Sequence, residues 1–265
     1  AYDYYLSNHG YKSFDGEGSP INCYVNADMG GSPNAYWGGY MVIAKPTNDI
    51  LLATVDIVGH EMTHGVSISL AGFTQQGETG ALGESYSDMF GALIEKSVYP
   101  NYPDSLNFST GEQFDNLGRN FMDPPKTNNP RYYKGENWDN SNSDGHGNGV
   151  VHSHWMYLCV RGAANYENEV GETYTFNGIG YDKMSKILFR TLSTYLTPSS
   201  GYAESSKYTI RSAKDLFGAC SEEVKTLKSA WKAVGLDVDD SPNANAEFSF
   251  STSRCQSPVE LQFFT

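Results

Sequence analysis

The rhythm of apolar and polar positions changes several times along this chain. Residues 1–50 are rich in Tyr, Gly, Asn and Pro, and short runs at 21–25 and 40–43 predict strands. The pattern then lengthens to a helical period over 51–70. A turn at 78–80 separates this first long helix from a second, expected over 81–97. Residues 98–149 are dense in Asn, Pro, Asp and Gly and predict a long irregular region, of the kind that carries ligands or function. Helical patterns resume at 151–166, 180–195, 205–217 and 221–234. Residues 237–246 read as a linker, and 246–265 alternate like strands, as the opening of a further β-domain would. The expected division is therefore 1–70, 71–236 and 237–265. The fold class is α+β: a β-rich first part, two central helices and a mainly helical remainder.

Composition narrows the functional classes. The 265 residues are 39% hydrophobic and 14% aromatic, as in a folded chain with a real core. A net charge of -13 repels phosphate backbones and argues against nucleic acid as a partner. No apolar run is long enough to span a membrane. Nothing at Ala1 reads as a basic and apolar leader, so any leader is expected to be gone already. Cys23, Cys159, Cys220 and Cys255 form no CxxC pair, which disfavours a cysteine-based zinc site. In an exported protein they would make one or two disulfides, with three pairings open.

The chemistry concentrates in the two central helices. Residues 56–65 read DIVGHEMTHG. His60 and His64 stand at i and i+4, and four helical residues turn through about 400°, so both imidazoles share one face. Two such nitrogens can bind one Zn²⁺. Glu61 stands beside them, in reach of a metal-bound water. Residues 80–91 read GALGESYSDMFG. If the second helix folds back antiparallel, Glu84 completes a His₂Glu set with one position open. Asp88 lies one turn beyond Glu84 and can fix the tautomer of a ligating histidine. Thr63 and Gly65 are small enough to let the second helix approach. Asp56, one turn before His60, and Glu95, about three turns beyond Glu84, would converge past the zinc site, where paired carboxylates call for a cation such as Ca²⁺.

Taken together, these blocks resemble the thermolysin family of zinc peptidases, the gluzincins. HEMTH at 60–64 and GALGESYSDMFG at 80–91 are similar to that family's ligand signature. GNGVVH, ending at His152, resembles the block with the transition-state histidine. RNFMDP at 119–124 resembles the segment with a substrate-binding arginine, and PNAYW at 33–37 the active-site edge strand. Residues 178–220 are similar throughout to its helical domain. The likeness runs from 3 to 236. It implies a two-lobe fold with the cleft between a β-rich lobe, here shortened, and a helical lobe. A missing N-terminal segment is then a candidate partner.

The resemblance also implies roles. Zinc would be held by His60, His64 and Glu84 and would bring a bound water toward neutrality. Glu61 would be the base, and His152 would donate to the oxyanion. Asn34 and the Ala35 backbone would hold an extended peptide, and Arg119 a substrate carbonyl. Calcium would be bound by Asp56 and Glu95, with Glu112 and Asp104 added from the irregular region. Protein or peptide substrates, a hydrophobic residue after the cleaved bond and secretion follow from the same resemblance, with Gly118 enlarging the specificity pocket. Three positions depart from the pattern. Gln75 stands where a tyrosine assists the oxyanion, Gly83 where an asparagine orients a ligand, and Gly147 where an aspartate orients the transition-state histidine, a role Asp144 or His146 could fill. These departures are the support for the alternative, a catalytically weakened zinc-containing module that binds proteins or peptides. A third reading, an aminopeptidase, lacks an evident charged anchor for a substrate terminus.

Overall fold

A computed structural model of the chain describes residues 1–30, 34–45, 52–111, 118–141, 143 and 145–238. The expected linker, apart from 237–238, and the β-type extension lie outside the described residues, as do Glu112, Asp144 and Cys255. The chain opens with helix α1 (Tyr2–His9). Strands β1 (Cys23–Ala27), β2 (Ala35–Trp37) and β3 (Met41–Ala44) then form one sheet in the order β1-β3-β2. β1 runs parallel to β3, and β2 antiparallel to it with Ala35 opposite Ile43. β2 is thus an edge of the sheet. The outer strand β1 is almost wholly exposed, whereas all four residues of β3 are buried.

The expected pair of long helices is present as α2 (Val55–Ala71) and α3 (Gly77–Val98). α2 stops at Gly72, whose φ of 66° and N–H bond to the Ile68 carbonyl make a left-handed cap. The expected turn at 78–80 is instead the first turn of α3, which begins at Gly77. Their close approach is set by glycines, though not by Gly65. A Cβ on Gly59 would stand 3.2 Å from Gly91 Cα, and one on Gly91 2.8 Å from the Asp56 carbonyl. Gly65 makes room for Trp37 of β2, 2.6 Å from where its Cβ would be. Thr63 spends its hydroxyl on the Gly59 carbonyl and on Tyr5.

The irregular region contains α4 (Asp104–Asn107), the antiparallel pair β4 (Ser109–Thr110) and β5 (Arg119–Asn120), and one 3-10 turn, Pro124–Thr127. Helix α5 (Gly145–Arg161) starts earlier and ends earlier than the pattern predicts. Gly149 is a packing device: a Cβ there would lie 2.8 Å from the Ala81 carbonyl of α3. After it the chain reverses at Gly162, with φ of 80°, into a hairpin of β6 (Gly162–Glu167) and β7 (Thr173–Asn177) that the helical reading of 151–166 missed. Helices α6 (Tyr181–Thr194), α7 (Tyr202–Phe217) and α8 (Glu222–Ala233) match the expected segments. Ser221 caps α8 through the Val224 N–H. The core runs through α2, α3, α5 and the last three helices, with Trp155, Trp231, Tyr86 and Phe90 fully buried. Helix α1 was not expected from sequence. It carries one buried residue, Tyr5, and docks by tertiary contacts, with His9 stacked 4.2 Å over Phe189.

Candidate metal centre and cleft

Helix periodicity puts His60 and His64 on one face of α2, and the antiparallel α3 brings Glu84 to them. Among the described residues this is the group of three donors able to hold a metal, with all ligand atoms within 4.8 Å of one another. The two Nε2 atoms are 3.0 Å apart, and Glu84 Oε2 lies 3.4 Å from His60 Nε2 and 3.7 Å from His64 Nε2. A tetrahedral ion about 2.1 Å from each atom needs donors roughly 3.4 Å apart, so this set fits Zn²⁺. Two imidazole nitrogens and one carboxylate are also the donor chemistry of a catalytic rather than a structural zinc site.

Asp88 supports this set from behind. Its Oδ1 lies 2.8 Å from His60 Nδ1. A carboxylate accepts, so His60 donates from Nδ1, which leaves Nε2 as the nitrogen that would face a metal. Arg119 grips the same carboxylate twice, from Nε to Oδ2 at 2.7 Å and from Nη2 to Oδ1 at 2.6 Å. Burial works against the charged Asp88, but Arg119 and His60 outweigh it and hold its carboxyl well below the usual carboxylate range. Glu61 is also buried. Burial, countered in part by the charge of His60, pushes its carboxyl up to about 7 in the protein alone.

The donors open onto a cleft of about 330 Å³, lined by Asn34, by Ala35 of the edge strand and by Gln75, Gly83 and His146. A second cavity of about 190 Å³ adjoins it, sharing Glu61 and His146 and adding Leu52, Ile57 and Arg119. Asn34, Ala35, Glu61 and Arg119 are therefore brought together with the donor set. Gly118 is not at the pocket wall: a Cβ there would meet the Thr110 carbonyl at 2.3 Å. That glycine serves the β4–β5 crossing and does not enlarge the pocket.

His152 is elsewhere. It is fully buried against the stacked pair Trp155 and Trp231, its ring centroid 5.0 and 5.2 Å from theirs, with Nδ1 2.7 Å from Ser85 Oγ. Burial lowers it to about 3. An imidazole sealed in the core cannot donate to a substrate in the cleft, so the expected oxyanion role fails on position. The histidine in the cleft is His146, whose side chain is 61% exposed and whose Nε2 stands 3.1 Å from Glu84 Oε2. Sequence reasoning mentioned it only as an orienting partner. The signal was available: with the helix started at Gly145 rather than 151, His146 falls in its first turn. Gly147, counted as a departure from His152, then loses that meaning.

Asp56 and Glu95 are both buried. Asp56 Oδ2 accepts from the Gly111 N–H at 2.9 Å, while its Oδ1 is buried without a hydrogen-bond partner. Asp104 is engaged otherwise: Arg161 holds Oδ2 at 2.8 Å and Tyr181 donates to Oδ1 at 3.2 Å. A carboxylate already neutralised by a guanidinium is a poor calcium ligand, which removes Asp104 from the expected set. Cys23 and Cys159 are free thiols, and no disulfide joins two described cysteines.

The comparisons with known proteins converge. Residues 1–67 match the model of the thermolysin metallopeptidase catalytic domain, and residues 71–236 that of the thermolysin metallopeptidase alpha-helical domain. The chain is 36% identical over 246 residues to thermostable neutral protease NprT of Geobacillus stearothermophilus, covering 89% of this chain and 43% of the relative. It is 32% identical over 244 residues to neutral protease B of Bacillus subtilis (strain 168), again over 89% and 43%. It thus spans less than half the length of these curated relatives. Among solved structures, the precursor of protealysin, a metalloproteinase from Serratia proteamaculans, superposes with a TM-score of 0.70 at 25% identity, over 88% of this chain and 74% of that one.

Proposed function

Because this chain belongs to the thermolysin metallopeptidase family, we propose that it acts as a zinc-dependent endopeptidase. One observation carries the reading: two imidazole nitrogens and a carboxylate oxygen converge at zinc-ligand spacing, beside a buried glutamate, in an open cleft. His60, His64 and Glu84 would hold the ion. When bound, Zn²⁺ supplies an acidified water and an electrophile for a carbonyl oxygen.

The remaining steps belong to the protein. Glu61, buried beside the donors, takes a proton from water at its carboxylate and returns it to the leaving nitrogen. His146, in place of His152, donates a hydrogen bond to the oxygen that gains charge. Asn34 and Ala35, at the free edge of β2, hold an extended peptide by its main chain. Arg119 has spent Nε and Nη2 on Asp88. Its Nη1 is left to meet a substrate carbonyl. Leu52 and Ile57 line the adjoining cavity and suit an apolar side chain after the scissile bond. Calcium at Asp56 and Glu95 is part of the proposal, supported by the buried, unpartnered Asp56 Oδ1. An extracellular location rests on family kinship alone; among the described residues no helix is long and apolar enough to cross a membrane.

The test is an internally quenched peptide with and without a zinc chelator. Cleavage that stops on chelation and returns with added Zn²⁺ is the expected result. A zinc-loaded protein that binds the peptide without cutting it would instead favour the binding-module alternative.

A further inference from the structure

Arg119 has a positioning problem. It sits on β5, a strand of two residues paired with another strand of two. So short a ladder cannot by itself hold a guanidinium to the tolerance a site demands, about 0.5 Å. The next residue, Phe121, is where the segment is anchored. Its N–H donates to the Phe108 carbonyl at 2.8 Å. Its carbonyl lies 2.6 Å from Nδ1 of His154, a residue of α5 that is 1% exposed. A carbonyl can only accept, so His154 donates from Nδ1. Its Nε2 is then an acceptor, and the Tyr166 hydroxyl on β6 donates to it at 2.9 Å. Burial lowers His154 to about 4, which keeps this single neutral tautomer across ordinary pH.

The contacts form a continuous series. Tyr166 orients His154, His154 pins the Phe121 carbonyl, and Arg119 two residues earlier clamps Asp88, which orients His60. Neither His154 nor Tyr166 lines either cavity. We infer that His154 is a positioning residue that sets Arg119, and through it Asp88 and His60, from outside the cleft. The effect on turnover rests on the peptidase reading; the effect on Arg119 does not.

Two amide variants separate positioning from mere packing. His154→Asn keeps an N–H close to the Nδ1 position and so keeps the bond to Phe121. His154→Gln keeps a polar group close to Nε2, bonded to Tyr166, and loses the bond to Phe121. Hydrogen exchange of the Arg119 Nε–H, read by NMR on the full chain, should stay near wild type in His154→Asn. It should rise about tenfold in His154→Gln, with a similar loss in kcat/KM on the quenched peptide. Equal exchange in the two variants would overturn the inference. If His154→Gln does not fold, His154→Leu, which matches Asn in shape but has no N–H for the Phe121 carbonyl, replaces it. A rise of about tenfold at Arg119 over His154→Asn supports the inference, and equal exchange in the two overturns it. A wild-type protein that cuts no peptide sinks the peptidase reading, while the exchange measurement still decides the role of His154.

Discussion

The α2–α3 pair and the start of α5 both deliver histidines toward one cleft, yet they differ in how their sequences report it. In α2 the spacing of His60 and His64 is itself the geometry: i and i+4 on any helix share a face. In α5 the informative histidine is set by where the helix begins. His146 and His152 are six residues apart, about 600° of helix, so one faces the cleft when the other faces the core. The difference teaches that a motif contained within a helix survives an error in its boundaries, whereas a residue in the first turn does not.

The sharpest break between the regions is chemical. Glu61→Gln should lower kcat by about 10³-fold while zinc content stays at wild type, since the side chain acts on protons and is not a donor to the metal. His146→Ala should lower kcat about 10²-fold, the usual cost of an oxyanion donor, with the melting temperature unchanged because the ring is mostly exposed. His152→Ala should do the reverse. It empties a space beside the stacked Trp155 and Trp231 and should cost about 3 kcal/mol in urea unfolding, with little change in kcat per folded molecule. Equal kinetic effects at the two histidines would erase the distinction drawn here.

A smaller effect sharpens the packing side. Gly149→Ala puts a Cβ 2.8 Å from the Ala81 carbonyl and should cost about 1–3 kcal/mol, measured by chemical denaturation. Acid probes the core as a whole. Burial depresses His9 and His154 to about 4 and His152 to about 3. These groups stay neutral in the fold but take up protons in the unfolded chain below about 6.5. Their contribution is therefore complete above about 6.5 and is lost as pH falls toward 4. The urea midpoint should decline over that window, and His152→Phe should flatten the decline.

The candidate metal donors, the neighbouring Glu61 and Asp88, and the last three helices were legible in position because each rests on a periodic pattern or a spacing internal to one helix. Arg119 was placed at the site by resemblance, but its bidentate hold on Asp88 could not be read from sequence, since it joins β5 to α3 across the fold. Helix α1 was missed because its stability comes from contacts of Tyr5 and His9 and not from its own amphipathy. Gly149, which looked like loop punctuation, is in fact a close-packing position against α3. The hairpin after α5 was hidden for a related reason: only the reversal at Gly162, a tertiary choice, separates it from the helix.

The most direct test of the central claim is mass spectrometry of a peptide blocked at both ends, incubated with zinc-loaded wild type and with Glu61→Gln at equal zinc content. Internal fragments from the wild type, reduced about 10³-fold in the variant, are the result this account predicts. Cleavage by both proteins at similar rates would contradict the role of Glu61, and an intact peptide with both would contradict the endopeptidase itself.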